Sequence, residues 1–251
     1  MLIAPLAGSP SGCICYQILG VAKSLQLLQK DLVGKEVVVN TEMSAHGGNR
    51  WLIHSWSMAR SLRAVVFAGG ASERMGTDKA LLRHPNGDSW LVTAVNLLRS
   101  VDLEVRVLSG HGSHRNCLAG QPGVTVQAEP WAPAGPLQAF GCVLSEREDE
   151  AWLTLPVDMP GLRRSTLLSL LQHWRQAEGL ALVAGGGDRL QPLFGVYPCG
   201  ANNRTALDQE LAQGRGRWFG WLERIDYTTF LCPDQDLINV NRPDDLAALM
   251  R

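Results

Sequence analysis

The stretch that decides the fold of this chain reads Ala64-Val65-Val66-Phe67-Ala68-Gly69-Gly70-Ala71-Ser72-Glu73-Arg74-Met75-Gly76-Thr77-Asp78-Lys79-Ala80-Leu81-Leu82. Its first residues form a short apolar, partly β-branched run, which is typical of a buried parallel strand. The pair Gly69-Gly70 allows a sharp turn and lets backbone N–H groups approach a ligand closely. Arg74 and Lys79 add positive side chains to the same segment. The stretch therefore predicts a site for the phosphates of a nucleoside triphosphate.

Two common phosphate-binding loops do not fit this stretch. The P-loop requires a Gly-Lys-Ser/Thr sequence, whereas Gly76 is followed by Thr77-Asp78-Lys79. The dinucleotide fingerprint requires G-x-G-x-x-G, whereas the two glycines here are adjacent. The simpler alternative is a strand-to-helix turn whose charges are incidental.

A second motif consists of an apolar strand that runs into an aspartate between two prolines, Ala151-Trp152-Leu153-Thr154-Leu155-Pro156-Val157-Asp158-Met159-Pro160. Ligands of open α/β sheets bind beyond the carboxyl ends of the strands. A carboxylate held there suits Mg²⁺, which takes one or two protein carboxylates together with phosphate oxygens and water. The alternative is that Asp158 caps the helix that residues 162–174 predict.

Composition limits the class of protein. The chain has 251 residues, of which 45% are hydrophobic and 19% charged, as in an ordinary globular protein. The net charge of −1 provides no attraction for nucleic acid or an anionic membrane, and no apolar run approaches the length of a membrane span. Six scattered cysteines indicate reduced thiols and a cytoplasmic location.

The order of the predicted elements defines the fold class. After residue 62, strands alternate with helical patterns, which predicts an α/β fold with a mostly parallel sheet and helices on both faces. We expect this domain to span residues 63–251. Residues 1–62 form an N-terminal extension, interpreted as poorly ordered or as the result of a mis-assigned start, with one short amphipathic helix near Leu19–Leu28.

Polar residues also cluster after the predicted strand Leu103–Leu108. His111, His114 and Cys117 could suggest a metal site, but no fourth ligand is apparent at a suitable spacing. We therefore interpret this segment as a surface loop.

The form Ala-Gly-Gly-x-Ser-x-Arg-Met-Gly-x-Asp-Lys at residues 68–79 resembles the signature of the nucleotidyltransferase superfamily, and specifically of the molybdenum cofactor guanylyltransferases. The same resemblance extends to the Asp-x-Pro at Asp158 and to the Asn-x-Asn-x-Pro that begins at Asn239. It covers nearly all of residues 63–251 and none of the first 60. It implies a Rossmann-like nucleotidyltransferase fold.

The resemblance also implies a reaction, in which GTP and molybdenum-molybdopterin give the guanine dinucleotide cofactor and diphosphate. It implies Mg²⁺ as cofactor and transient contact with cofactor-biosynthesis proteins and apo-molybdoenzymes. The implied catalytic residues are Arg74, Lys79 and Asp158, with Asp158 as the metal ligand. The implied nucleotide-binding residues are Phe67, Ala68, Gly69, Gly70, Lys79, Ser109, Glu129 and Asp158, and the acceptor side is formed by Asn239 and Asn241.

Two other functions remain open at this point. One is a related cytidylyl- or sugar-nucleotidyltransferase, although cytidylyl relatives tend to have Ala-Ala in place of Gly69-Gly70 and Pro-Lys in place of Asp78-Lys79. The other is a non-catalytic nucleotide-binding adaptor for molybdoenzyme maturation. The presence of Arg74, Lys79 and Asp158 favours an enzyme, because a binding protein has little use for all three.

Overall fold

The structure is a computed structural model that describes four strands within residues 3–54, and then residues 61–69, 78–128, 135–177, 179–187, 189–214, 216–240 and 245. The chain divides into two compact units, Met1–Arg60 and Ser61–Arg251.

The first unit contains a four-stranded antiparallel sheet in the order β1-β2-β4-β3. Its strands are β1 (Ile3–Pro5), β2 (Cys15–Ile18), β3 (Val38–Met43) and β4 (Asn49–His54). The predicted helix near Leu19–Leu28 lies outside the described residues. That residues 1–62 are an N-terminal extension, poorly ordered or the result of a mis-assigned start, stays a prediction.

The second unit is built on a seven-stranded sheet in the order β11-β9-β10-β8-β5-β6-β7. The strands are β5 (Ser61–Phe67), β6 (Val105–Leu108), β7 (Val124–Gln127), β8 (Glu150–Pro156), β9 (Ala181–Gly186), β10 (Arg189–Pro198) and β11 (Tyr227–Leu231). Only β10 among them runs antiparallel to its neighbours β8 and β9. The predicted mostly parallel sheet is confirmed.

In the described part of the chain, these strands are connected by the helices α1 (Trp90–Arg99), α2 (Gly112–Cys117), α3 (Pro136–Gly141), α4 (Arg164–Gln176), α5 (Ala201–Ala212) and α6 (Trp218–Leu222). Two 3₁₀ turns, Lys79–Leu81 and Asp234–Leu237, complete the described elements. The side chain of Ser89 caps α1 by accepting the Val92 N–H at 3.2 Å. In the described part of the chain, no helix combines the length and the apolar character needed to cross a membrane.

The strands alternate their side chains between two hydrophobic layers. In β5, Ala64 and Val66 face a layer that includes residues of α1 and α4, whereas Val65 and Phe67 face a layer that includes residues of α3, α5 and α6. Because successive residues of a strand point to opposite faces, a strand buried on both sides reads as a continuous apolar run. The predicted helices on both faces are therefore confirmed, and β5 lies in the middle of the core.

Candidate functional site

The register of the central strands brings three loops to one edge of the sheet. Phe67, the last residue of β5, pairs with Leu108 at the end of β6 and with Pro156 at the end of β8. Since the strands are parallel, the residues that follow each of them emerge side by side. Gly69, Ser109 and Asp158 therefore begin adjacent loops, at the edge where ligands of open α/β sheets bind.

Lys79 and Asp158 meet at this edge. The Lys79 Nζ lies 3.7 Å from the Asp158 Oδ2, and the two side chains are only 14% and 21% exposed. Lys79 opens a 3₁₀ turn that Asp78 caps, because the Asp78 Oδ1 accepts the Ala80 N–H at 3.1 Å. The two sequence motifs, far apart in the chain, thus converge on one ion pair.

The Asp158 carboxyl is held in an environment that disfavours its charge. Burial raises the pKa of Asp158 above its ordinary value, and the Lys79 ammonium opposes part of that rise. Within the described part of the chain, the Asp158 Oδ1 is buried and has no hydrogen-bond partner. A buried carboxylate oxygen without a partner is costly unless a cation or donor reaches it.

Asn239 approaches the same residue from the C-terminal segment. The Val240 N–H donates to the Asp158 carbonyl oxygen at 2.9 Å, which fixes Asn239 beside the aspartate in the chain path. The Asn239 Oδ1 is also buried and unpartnered within the described residues. Carboxylate and amide oxygens are ligands that suit Mg²⁺, so the two unpartnered oxygens fit a divalent cation whose other ligands would be phosphate oxygens and water.

The loop after β5 differs in one respect from the expected row of ligand-facing N–H groups. The Ala68 N–H donates to the Leu108 carbonyl oxygen at 3.0 Å and extends the ladder between β5 and β6. A nucleotide could accept this N–H only if the hydrogen bond to the Leu108 carbonyl oxygen were broken. Phe67 is buried, with its ring edge-on to Trp218 at 5.6 Å, so its side chain belongs to the core. Gly69 is only partly buried.

The segment after β6 forms the helix α2 and not the predicted loop. His114 lies in α2 and is completely buried instead of being in a surface loop. Its Nδ1 lies 2.7 Å from the Ser109 Oγ, and its Nε2 lies 2.7 Å from the Asp78 Oδ2. Ser109 itself is 2% exposed. The sequence offers one signal for this contact. His114 follows closely after the end of a predicted strand, and Asp78 stands next to the predicted phosphate-binding Lys79.

Several predicted site residues lie outside the described part of the chain. They are Gly70, Arg74, Glu129 and Asn241. Among the described residues, Lys79, Ser109, Asp158 and Asn239 gather at the carboxyl edge of the sheet with Phe67, Ala68 and Gly69 at the end of β5. No group of three or more His, Cys, Asp or Glu side chains suited to a metal ion occurs within these described ranges.

Comparison with known proteins gives a consistent set of similarities. The MobA-like NTP transferase domain family matches residues 64–225. A protein of Rhodopirellula baltica named "Probable molybdenum cofactor guanylyltransferase" is 34% identical over 191 residues, which cover 74% of this chain and 90% of that protein. The molybdenum cofactor guanylyltransferase of Ectopseudomonas mendocina is 33% identical over 193 residues, covering 73% of this chain and 89% of that protein.

Solved structures share the fold at lower sequence identity. The molybdopterin-guanine dinucleotide biosynthesis protein A of Archaeoglobus fulgidus superimposes with a TM-score of 0.60 at 18% identity, covering 74% of this chain and 96% of that chain. The 2-C-methyl-D-erythritol 4-phosphate cytidylyltransferase of Francisella tularensis gives a TM-score of 0.59 at 13% identity, covering 75% and 97%. At such identities the likeness concerns the fold alone.

Proposed function

This chain belongs to the molybdenum cofactor guanylyltransferase family, whose members are nucleotidyltransferases, and we propose that it transfers GMP from GTP to the terminal phosphate of molybdenum-molybdopterin. In this reaction the bond breaks between the α-phosphorus of GTP and the oxygen that links it to the β-phosphorus, and diphosphate leaves with that oxygen. An oxygen of the acceptor's terminal phosphate forms the new bond, which gives the guanine dinucleotide cofactor. The observation that carries the proposal is the Lys79–Asp158 pair at the carboxyl edge of the sheet.

Lys79 supplies positive charge for the transfer. Its ammonium is largely shielded from solvent, at 14% exposure, where a charge interacts more strongly than it does in water. Held by the 3₁₀ turn behind it, the lysine is positioned before the reaction and does not need to reorganise. Arg74, which follows the glycine pair in the signature, would add a second cation to the same phosphates.

Asp158 and Asn239 would hold Mg²⁺ through the two buried oxygens that have no partner among the described residues. When bound there, the cation would neutralise developing phosphate charge and align the reacting phosphates. A divalent cation there would favour the ionised carboxylate and so oppose the rise in the pKa of Asp158 that burial causes.

No strong general base is needed in this reaction. The attacking group is a phosphate oxygen that already carries negative charge at neutral pH. The work of the protein is therefore to bring two anions together and to stabilise the charge that accumulates between them. The candidate residues Lys79, Asp158 and Asn239 suit this task, because they supply charge and metal ligands and none of them has to act as a base.

The test is nucleotide binding followed by transfer. Binding of GTP, CTP and ATP is measured with Mg²⁺, and transfer of α-labelled GMP to molybdenum-molybdopterin is then followed together with release of diphosphate. The Asp158→Ala variant should lose turnover by about a hundredfold or more while remaining folded. Asp149→Ala is the matched control, because Asp149 pairs with Arg147 just before the other end of β8.

Each alternative has a distinct outcome in this experiment. Preferential binding and transfer of CTP would assign the chain to a cytidylyltransferase. Tight GTP binding without transfer would favour a non-catalytic adaptor that presents the cofactor to apo-molybdoenzymes. A folded Asp158→Ala variant with undiminished transfer would contradict the proposed site. The proposal includes a cytoplasmic location, in keeping with the six scattered cysteines.

A further inference from the structure

A chain of hydrogen bonds, buried at Ser109 and His114, connects the end of β6 to Asp78, the residue before Lys79. The Ser109 Oγ lies 2.7 Å from the His114 Nδ1, and the His114 Nε2 lies 2.7 Å from the Asp78 Oδ2. His114 has no exposed surface and Ser109 is 2% exposed. Asp78 and His114 are 36 residues apart in sequence, so only the tertiary structure brings them together.

The chemistry of the three groups determines the direction of the hydrogen bonds. An ionised carboxylate only accepts, so the His114 Nε2 must carry a hydrogen and donate it to Asp78. The Ser109 Oγ already accepts the His111 N–H at 3.0 Å, and its own hydrogen is then available for the His114 Nδ1. The neutral Nε2–H form of His114 therefore uses every polar hydrogen in the chain. The imidazolium form would direct a second N–H at Ser109 and displace the hydroxyl hydrogen from Nδ1.

At the other end of this series of hydrogen bonds, Asp78 caps the turn that contains Lys79. Asp78 uses its second oxygen, Oδ1, to accept the Ala80 N–H at 3.1 Å and so caps the 3₁₀ turn Lys79–Leu81. Both oxygens of Asp78 are thus occupied, one by the turn and one by His114. Hydrogen bonds at both oxygens restrict the rotation of this carboxylate, and the cap restricts the backbone of the adjacent Lys79. The lysine can then place its Nζ 3.7 Å from the Asp158 Oδ2.

We propose that His114 is a positioning residue, which links the edge of the sheet at Ser109 to Asp78 and thereby orients Lys79 toward the transferring phosphates. This inference rests on the proposed function, because it concerns how Lys79 is held for that reaction. His114 touches neither nucleotide nor metal in this role. It also gives Ser109 a part in the site through His114, since the Ser109 hydroxyl is engaged inside the protein.

The first experiment compares three variants by steady-state kinetics of GMP transfer. His114→Leu removes both hydrogen bonds, whereas His114→Gln keeps an amide N–H that can donate to Asp78. Thr154→Val is the matched control, because it removes another buried hydrogen bond, from the Thr154 Oγ1 to the Gly195 carbonyl oxygen at 3.2 Å within the sheet. We expect His114→Leu to lower kcat by about ten- to a hundredfold with little change in the KM for GTP. His114→Gln should recover much of the loss, and Thr154→Val should keep the wild-type kcat.

The second experiment tests whether His114 acts through Lys79. In a Lys79→Met background, His114→Leu should produce no further fall in kcat, because the group that it positions is already absent. A purely structural role for His114 would instead lower kcat by the same factor in both backgrounds, and this result would overturn the inference. Equal kcat values for His114→Leu and Thr154→Val would overturn it as well.

A spectroscopic measurement separates failure of this inference from failure of the proposed function. Long-range ¹H–¹⁵N spectra of the histidine rings in the full chain should show a hydrogen on the His114 Nε2, and this signal should change in Asp78→Asn. If the spectra show His114 without a hydrogen on Nε2, the hydrogen bond to Asp78 is wrong whatever the enzyme does. If the wild type transfers no GMP, the proposed function fails, and the positioning role fails with it. Wild-type transfer that is insensitive to His114→Leu removes the positioning role alone.

Discussion

Replacement of Lys79 by methionine should reveal how strongly the candidate site depends on its ion pair. The change removes the positive charge 3.7 Å from the Asp158 Oδ2 and keeps a side chain of similar length. Two unit charges about 4 Å apart attract each other by roughly 4 kcal/mol at an effective dielectric constant of about 20. Residual solvent contact and desolvation of the ammonium offset part of this attraction, so we expect a net coupling of about 1–2 kcal/mol.

The assay is a double-mutant cycle in the free energy of unfolding, measured with urea at neutral pH. Lys79→Met should destabilise the second unit, because it leaves Asp158 charged and without its nearest cation. Lys79→Met combined with Asp158→Asn should be more stable than Lys79→Met alone, since the second change removes the uncompensated charge. If the two single effects add to within about 0.5 kcal/mol, the pair is not coupled and the reasoning is wrong.

The same variant should show a specific dependence on pH. Burial raises the pKa of Asp158 in the folded state, so the folded protein holds this proton to a higher pH than the unfolded chain does. Stability contributed by Asp158 is therefore greatest below the unfolded pKa, and it is lost as the pH rises toward the folded pKa. Without Lys79 the folded pKa of Asp158 rises further. The loss in free energy of unfolding that Lys79→Met causes, relative to the wild type, should therefore grow from acid to neutral pH. A loss that shrinks over this range would contradict the assigned electrostatics.

Three further predictions concern single residues of the second unit. Asn239→Ala should raise the Mg²⁺ concentration needed for half-maximal transfer by about tenfold, as measured by metal titration, while a variant with an unchanged requirement would remove Asn239 from the metal site. Gly195→Ala should lower the free energy of unfolding by more than about 2 kcal/mol, because an added Cβ would lie 2.5 Å from the Leu182 carbonyl oxygen. Asp236→Ala should cost about 2–4 kcal/mol in urea unfolding, because Asp236 is completely buried and accepts the Thr166 hydroxyl, and its kcat should stay near that of the wild type.

The local sequence is sufficient to predict the strands and helices and the edge of the sheet at which the candidate site lies. The apolar run before Phe67 predicts a strand buried on both faces, because a parallel strand between two helical layers has no polar face to reveal. The cap of α1 is also a local interaction, because the Ser89 side chain accepts the N–H of Val92, only three residues further on. Lys79 and Asp158 could each be selected as site residues from the motifs that contain them. These features depend on neighbours in the chain, and a single sequence is sufficient to find them.

The tertiary structure decided which of these residues meet and which polar groups remain available. The histidine at position 114 looks like part of a polar surface segment, yet it is buried because Ser109 and Asp78 satisfy both of its nitrogens. The Ala68 N–H looks available in a glycine turn, yet the carbonyl of Leu108 on the neighbouring strand accepts it. Strand order and register determine such partners, and neither is encoded in the periodicity of a single segment. The sequence predicted candidate residues for the chemistry, whereas packing decided their partners, because hydrogen bonds and ion pairs form between segments that only the folded sheet brings together.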